Sequence, residues 1–181
     1  MNRNQEFNKT KLTSVSNGKC VVDTYVDAFG IEKVKMVVSE FEGSKNSVDA
    51  YLDFPDVLRI AEQVKNRTML KKIKNSNGQG VDLYRGGSAG SKREDGKTIA
   101  KVLTMNMSDT GKIFINASAG PGKEAGKGAI IPDGKPEVRI SCSMSYDDCL
   151  AMFMYIDLAV RAYLPGFFRD LIKAASEKRT A

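Results

Sequence analysis

The sequence predicts an α+β fold made of two ββββα repeats, with antiparallel sheets that carry their helices on one side. Three observations lead there. Residues 144–150 (Met-Ser-Tyr-Asp-Asp-Cys-Leu) repeat residues 52–58 (Leu-Asp-Phe-Pro-Asp-Val-Leu) in residue class, except that Asp147 stands where Pro55 does. Stretches of period-two alternation precede each copy, and apolar residues at helical spacing follow each.

Each copy reads as a strand running into a helix. Asp53 and Ser145 suit the N-cap, Asp56 and Asp148 stand at N3, and Pro55 fits a first turn whose amide hydrogens have no intrahelical partner. Carboxylates at that end also meet the positive pole of the helix dipole. Leu52 with Val57, and Met144 with Cys149, occupy the staple positions on either side of the cap.

Residues 1–10 are polar, with Asn2, Asn4 and Asn8 and no apolar period, and are expected to form a flexible tail. Residues 11–181 then form one domain of two repeats, 11–66 and 79–164, followed by a C-terminal helix at 166–178. A short strand is predicted at 11–15. In 19–28, Cys20, Val22, Thr24 and Val26 alternate with Val21, Asp23, Tyr25 and Asp27, the pattern of a half-buried strand. Phe29-Gly30 breaks it. The next strand spans 32–41, with Val34, Met36 and Val38 on one face, and another spans 48–53 after the turn residues 43–46. A helix over 54–65 carries Val57, Leu58, Ala61 and Val64 as its core stripe.

The seam between repeats is basic: Lys65, Arg67, Lys71, Lys72 and Lys74 bring five cations without an acid. Strands are predicted again at 81–85, 98–107, 112–117 and 137–145. The helix at 146–164 is apolar nearly all round and must be covered on several sides, one of them a candidate subunit interface. Pro165-Gly166 is expected to stop it. The glycine-rich, basic segments 85–93 and 120–128 read as mobile surface flaps.

Composition narrows the chemistry. A chain of 181 residues with 41% hydrophobic and 28% charged residues is ordinary for a soluble domain. No run of 18 apolar residues occurs and the first 18 are mostly polar, so neither a transmembrane helix nor a signal is expected, and a cytoplasmic location is. Cys20, Cys142 and Cys149 are odd in number, lack metal-ligand spacing and read as free thiols. Without a histidine the commonest general base and metal ligand is missing, and no phosphate-binding glycine motif is present. No enzyme activity, metal or cofactor is expected. The weak enzymatic alternative rests on Asp23, Asp27 and Asp53.

A net charge of +6 on antiparallel sheets with one free face points to a polyanionic partner. As phased from the sequence, that face carries Lys33, Lys35, Phe41, Lys112, Phe114, Asn116, Arg139, Ser141 and Ser143, with Asp23, Asp27 and Glu137 on comparable faces. Interleaved cations and rings suit single-stranded nucleic acid, because bases stack on rings while cations follow phosphates. Lys33, Lys35, Arg85, Lys112 and Arg139 are the candidate phosphate ligands, and Phe114 and Tyr84 the candidate stacking residues.

Two copies of four strands and a helix, over roughly residues 11–164, resemble the Whirly family of single-stranded DNA-binding proteins. Each half resembles the positive cofactor four type of transcriptional coactivator. The resemblance implies two sheets packed crosswise, single-stranded DNA along exposed strand faces, and assembly into homo-oligomers. The Whirly signature Lys-Gly-Lys-Ala-Ala-Leu has only a similar counterpart in Gly126-Lys127-Gly128-Ala129-Ile130-Ile131, which lies in the second half, so no binding residue is transferred by motif. The expectation is therefore a non-enzymatic, largely sequence-independent single-stranded DNA-binding protein. A protein-assembly module and an RNA-binding protein are the alternatives.

Overall fold

Alternation in the first third of the chain produces four consecutive strands: β1 (Lys11–Ser16), β2 (Cys20–Tyr25), β3 (Lys33–Glu40) and β4 (Ser47–Asp53). They form an antiparallel sheet in chain order. The second sheet has five strands, β5 (Val81–Lys92), β6 (Thr98–Met107), β7 (Ile113–Ala125), β8 (Ala129–Pro132) and β9 (Val138–Met144), with β7 paired to both β8 and β9. Three helices complete an α+β protein: α1 (Phe54–Lys65), α2 (Thr68–Asn75) and α3 (Tyr146–Thr180). This computed structural model describes residues 10–43, 45–93 and 95–180, apart from the side chains of 88–92, 127 and 174–180. The expected tail lies outside the described residues except for Thr10.

One apolar face of each sheet meets the helices in a single cluster. Val34, Met36 and Val38 of β3 and Ile113, Ile115 and Ala117 of β7 alternate into it. Val57, Ile60 and Val64 of α1 and Met152, Phe153, Ile156 and Val160 of α3 face them. Phe29, Phe54 and Tyr163 meet edge to face, with centroids 5.0, 5.3 and 5.9 Å apart, joining the first sheet's helix to α3.

The two helix starts differ in how they are capped. Ser145 Oγ accepts the Asp148 amide at 3.0 Å and donates to the Asp148 carboxylate at 2.6 Å. Asp53 makes no side-chain cap; its carboxylate binds Lys33 Nζ at 2.7 Å instead.

Four expectations need correction. The glycine-rich segments are not flaps, because β5 runs to Lys92 and β7 to Ala125, and residues 129–132 form the unexpected β8. A Cβ on Gly87 or Gly122 would lie 2.7 or 2.9 Å from the Ile130 side chain, so the glycines make room for β8 to cross two strands. Next, the basic seam contains α2, whose Met69 and Ile73 are buried at helical spacing beneath the lysines. Third, α3 continues through Pro165 instead of ending there. An interior proline costs about 3 kcal/mol, yet Tyr163 stacks on Phe167 across it, at 5.9 Å, and is itself held by Phe29 and Phe54. Finally, β2 is buried on both faces rather than one. Lys11 and Lys35 lie over the Tyr25 ring at 5.8 and 5.5 Å and cover it with their aliphatic stems.

By length and composition Tyr146–Lys173 is also long and apolar enough to cross a membrane. In this fold Cys149, Met152, Phe153, Ile156 and Val160 of that stretch are buried in the core.

Candidate nucleic-acid interface

Strand register divides the sequence-predicted site residues between two faces. On the outer face of the first sheet, Lys11, Tyr25, Lys35 and Tyr51 form one cross-strand row. Every lysine of this face is engaged: Lys11 with Asp23 at 2.9 Å, Lys33 with Asp53 at 2.7 Å and Lys35 with Asp27 at 3.4 Å. Lys101 reaches in from β6 to Asp49 at 2.6 Å. Four lysines thus face four aspartates, and the surface is close to neutral. The three carboxylates considered for an enzyme are these lysine partners. Burial and the Asp23 carboxylate push the Tyr25 hydroxyl up to about 12.

Tyr84 belongs to this side. With Ile31, Lys33, Asp49, Tyr51, Gly87 and Lys101 it lines a groove of about 530 Å³ where β4 meets β5 and β6. Its hydroxyl pKa is raised, chiefly by burial, against the opposing effect of Lys33. Tyr84 is therefore grouped with Lys33 and not with Phe114.

The outer face of the second sheet has a different character. Alternation places Phe114, Asn116 and Ser118 of β7 outward, opposite Asn106, Thr104 and Val102 of β6 on one side and Ser143, Ser141 and Arg139 of β9 on the other. Ser141 Oγ donates to Asn116 Oδ1 at 2.7 Å, and Asn116 Nδ2 to Thr104 Oγ1 at 3.4 Å, so uncharged hydrogen-bonding groups cross three strands. These residues, with Val102, Ser118, Pro136 and Arg139, line a groove of about 430 Å³ without an acid. Arg139 is exposed and has no ion pair among the described residues. Phe114 is half-buried, one row along, and is not a member of the apolar core.

Arg85 lies opposite Val102 on this sheet but is bound to Asp82 at 2.9 Å. Glu137 is tied to Arg93, which lowers the carboxyl's pKa. Lys112 is exposed at the start of β7, where the Ser108 hydroxyl accepts its backbone N–H at 3.2 Å. Phe41, read from the sequence as a strand residue of the binding face, lies beyond the end of β3. Asn17 Nδ2 donates to Ser143 Oγ at 3.0 Å, bringing the β1–β2 turn and its exposed Lys19 to the rim of the face.

Val102, Thr104, Ser118, Pro136 and Lys19 were missing from the sequence-predicted face. The alternation of Val102 and Thr104 with Leu103 and Met105 was a usable signal; the approach of Lys19 depends on packing between sheets. Among the described residues no group of three or more metal-ligating side chains occurs. The chain matches no protein-family model and no curated protein.

Proposed function

We propose that this protein binds single-stranded DNA along the outer face of the second sheet, without base-specific readout and without catalysis, in replication, recombination or transcription. The observation that carries the reading is the acid-free groove across β6, β7 and β9, with unpaired Arg139 at one end and Phe114 on the adjoining row. Bases stack on an aromatic ring whatever their identity, and an arginine follows the phosphates. The ladder of Thr104, Asn116 and Ser141 offers donors and acceptors to base edges. Four strands then α1, and five strands then α3, are loosely consistent with a repeated ββββα plan, to which α2 and β8 are additions.

The test is fluorescence anisotropy of a labelled ~30-nucleotide single strand, its duplex and the matching RNA across a salt series, a length above typical site sizes. Binding of single-stranded DNA in preference to duplex, weakening steeply with salt, is the expected result. Equal or tighter binding of the RNA turns the reading to an RNA-binding protein. No salt-dependent binding to any of them refutes it.

Self-association accompanies this proposal and is the basis of the assembly alternative. Tyr155, Leu158, Phe168, Leu171 and Ile172 are exposed along α3, an apolar surface that a second helix could cover. A second copy of the chain is its proposed partner. Leu158→Glu with Ile172→Glu should lower the mass seen in sedimentation; an unchanged mass refutes the seam.

A further inference from the structure

Among the described residues, the largest concentration of positive charge without an acidic partner lies outside the proposed groove. Lys65 closes α1, Arg67 links the helices, and Lys71, Lys72 and Lys74 lie on α2. All five are exposed, none has an ion pair among the described residues, and no acid occurs between Glu62 and Asp82. The lysines of the first sheet's outer face, by contrast, each have an aspartate. Helix dipoles explain part of the pattern, since Lys65, Lys72 and Lys74 occupy last turns, where an exposed cation is favourable. They do not explain Arg67. It takes a left-handed conformation at φ 61, where glycine is unstrained, and its guanidinium lies 5.7 Å over the Tyr146 ring. Met69 and Ile73 anchor α2 in the core, so these charges stand on a fixed platform.

We infer that the α1–α2 segment is a second, phosphate-only section of the nucleic-acid track, holding the backbone of the same single strand where it leaves the sheet; this rests on the function proposed above. Continuity with the sheet is structural. Lys74, Ile73 and Gly78 form one wall of a depression of about 670 Å³ whose other wall includes Asn106, Ser108 and Asp109 at the β6–β7 end. Asn106 is the direct cross-strand neighbour of Phe114. The path from the stacking residue to the basic helix therefore runs through one surface depression, where Asp109 is the only acid among the described lining residues. With no aromatic side chain on α2, this section contacts the backbone and leaves the bases free.

The test uses the triple variant Lys71→Ala/Lys72→Ala/Lys74→Ala, whose positions are exposed, with its thermal melt confirming the fold. Anisotropy is read on a labelled ~8-nucleotide and a ~30-nucleotide single strand, one within and one beyond typical site sizes. The short strand should bind as to the unaltered protein. On the long strand, loss of three phosphate contacts should flatten the slope of log K against log salt by about 2. Lys71→Arg/Lys72→Arg/Lys74→Arg should keep the original slope. An unchanged slope on the long strand overturns the inference, as does a loss confined to duplex, which makes α2 a separate duplex site. Failure of the sheet reading has another signature: Phe114→Ala and Arg139→Ala then leave the short strand's affinity untouched, whatever the triple variant does. If the unaltered protein binds neither strand, both readings fall.

Discussion

Phe114→Ala separates stacking from electrostatics. The ring lies on the outer face between Asn106 and Ser143 and outside the apolar core, so truncation opens no buried cavity. The stability change should stay within about 0.5 kcal/mol, as for surface substitutions generally. Base–aromatic stacking contributes about 1–3 kcal/mol per base by alanine substitution, which corresponds to about a 5- to 140-fold loss of affinity. The salt slope should not move, because no phosphate contact is removed. Arg139→Ala should do the reverse, flattening the slope by about 0.7 through loss of one phosphate contact to a single strand. The assay is anisotropy of a labelled oligothymidylate at several salt concentrations, with Phe114→Leu added to keep bulk and remove the π face. If the Leu and Ala variants both bind as tightly as the unaltered protein, no base stacks at position 114 and the reasoning fails.

Other outcomes follow from the same geometry. Lys33→Ala/Asp53→Ala removes a pair 2.7 Å apart and no net charge, so affinity and salt slope should be unchanged; a slope flattened as by Arg139→Ala would restore Lys33 as a phosphate ligand. Ser145→Ala should cost about 1 kcal/mol in urea denaturation through loss of the N-cap, whereas Asp53→Ala, having no cap bond to lose, should cost clearly less; equal costs would show that the two helix starts are equivalent after all. Gly122→Ala should lower the thermal midpoint, because its Cβ would lie 2.8 Å from the Ala100 backbone nitrogen; a neutral substitution would mean that the β6–β7 pair yields easily. Stability should also fall in alkali. Burial raises the Cys142 and Cys149 thiols from 9.0 to about 12, and burial with Asp23 raises the Tyr25 hydroxyl from 10.0 to about 12. A folded-state pKa above the unfolded one gives stability that is complete below the unfolded value and lost as pH rises through the folded value. Urea midpoints should therefore hold up to pH 9.0 and decline toward about 12, and a flat profile there would contradict the burial of these groups.

Alternation made the first sheet legible in the sequence, apolar spacing and Pro55 made α1 so, and the Ser145 cap the start of α3, because each depends on neighbours a few positions away. Gly87 and Gly122 misled for the opposite reason. Glycine signals freedom locally, and only the arrival of Ile130 shows that the missing side chains make a crossing for β8. Pro165 misled likewise: its local penalty is real, but Tyr163, Phe167 and Phe29 hold the helix from both sides. The lysine run 65–74 concealed Met69, Leu70 and Ile73, since three apolar residues among five cations make too short a stripe to read. For the candidate site, strand phase put Phe114, Asn116, Ser141 and Arg139 on one face, and the strand register does the same. It gave no sign that Lys33 and Lys35 would find Asp53 and Asp27, because Asp53 is set by sheet register and Asp27 by the turn after β2.

That pairing changes what the net charge of +6 means. A binding surface inferred from lysine count alone would fall on the first sheet, where each cation already neutralises an aspartate and two of them cover Tyr25. Among the described residues the positive field comes from cations without an acidic partner: Arg139, Lys19 and Lys112 around the second sheet, and the five cations of the α1–α2 segment, of which Arg67 lies over the Tyr146 ring. Between them lies a strip of Thr104, Asn116, Ser141 and Phe114 with no net charge. A single strand has the same division, an anionic backbone beside uncharged bases with exposed π faces. Under the proposed function, a cationic rim around a neutral strip would meet both parts at once. A uniformly basic face would hold the phosphates and leave the bases without a partner.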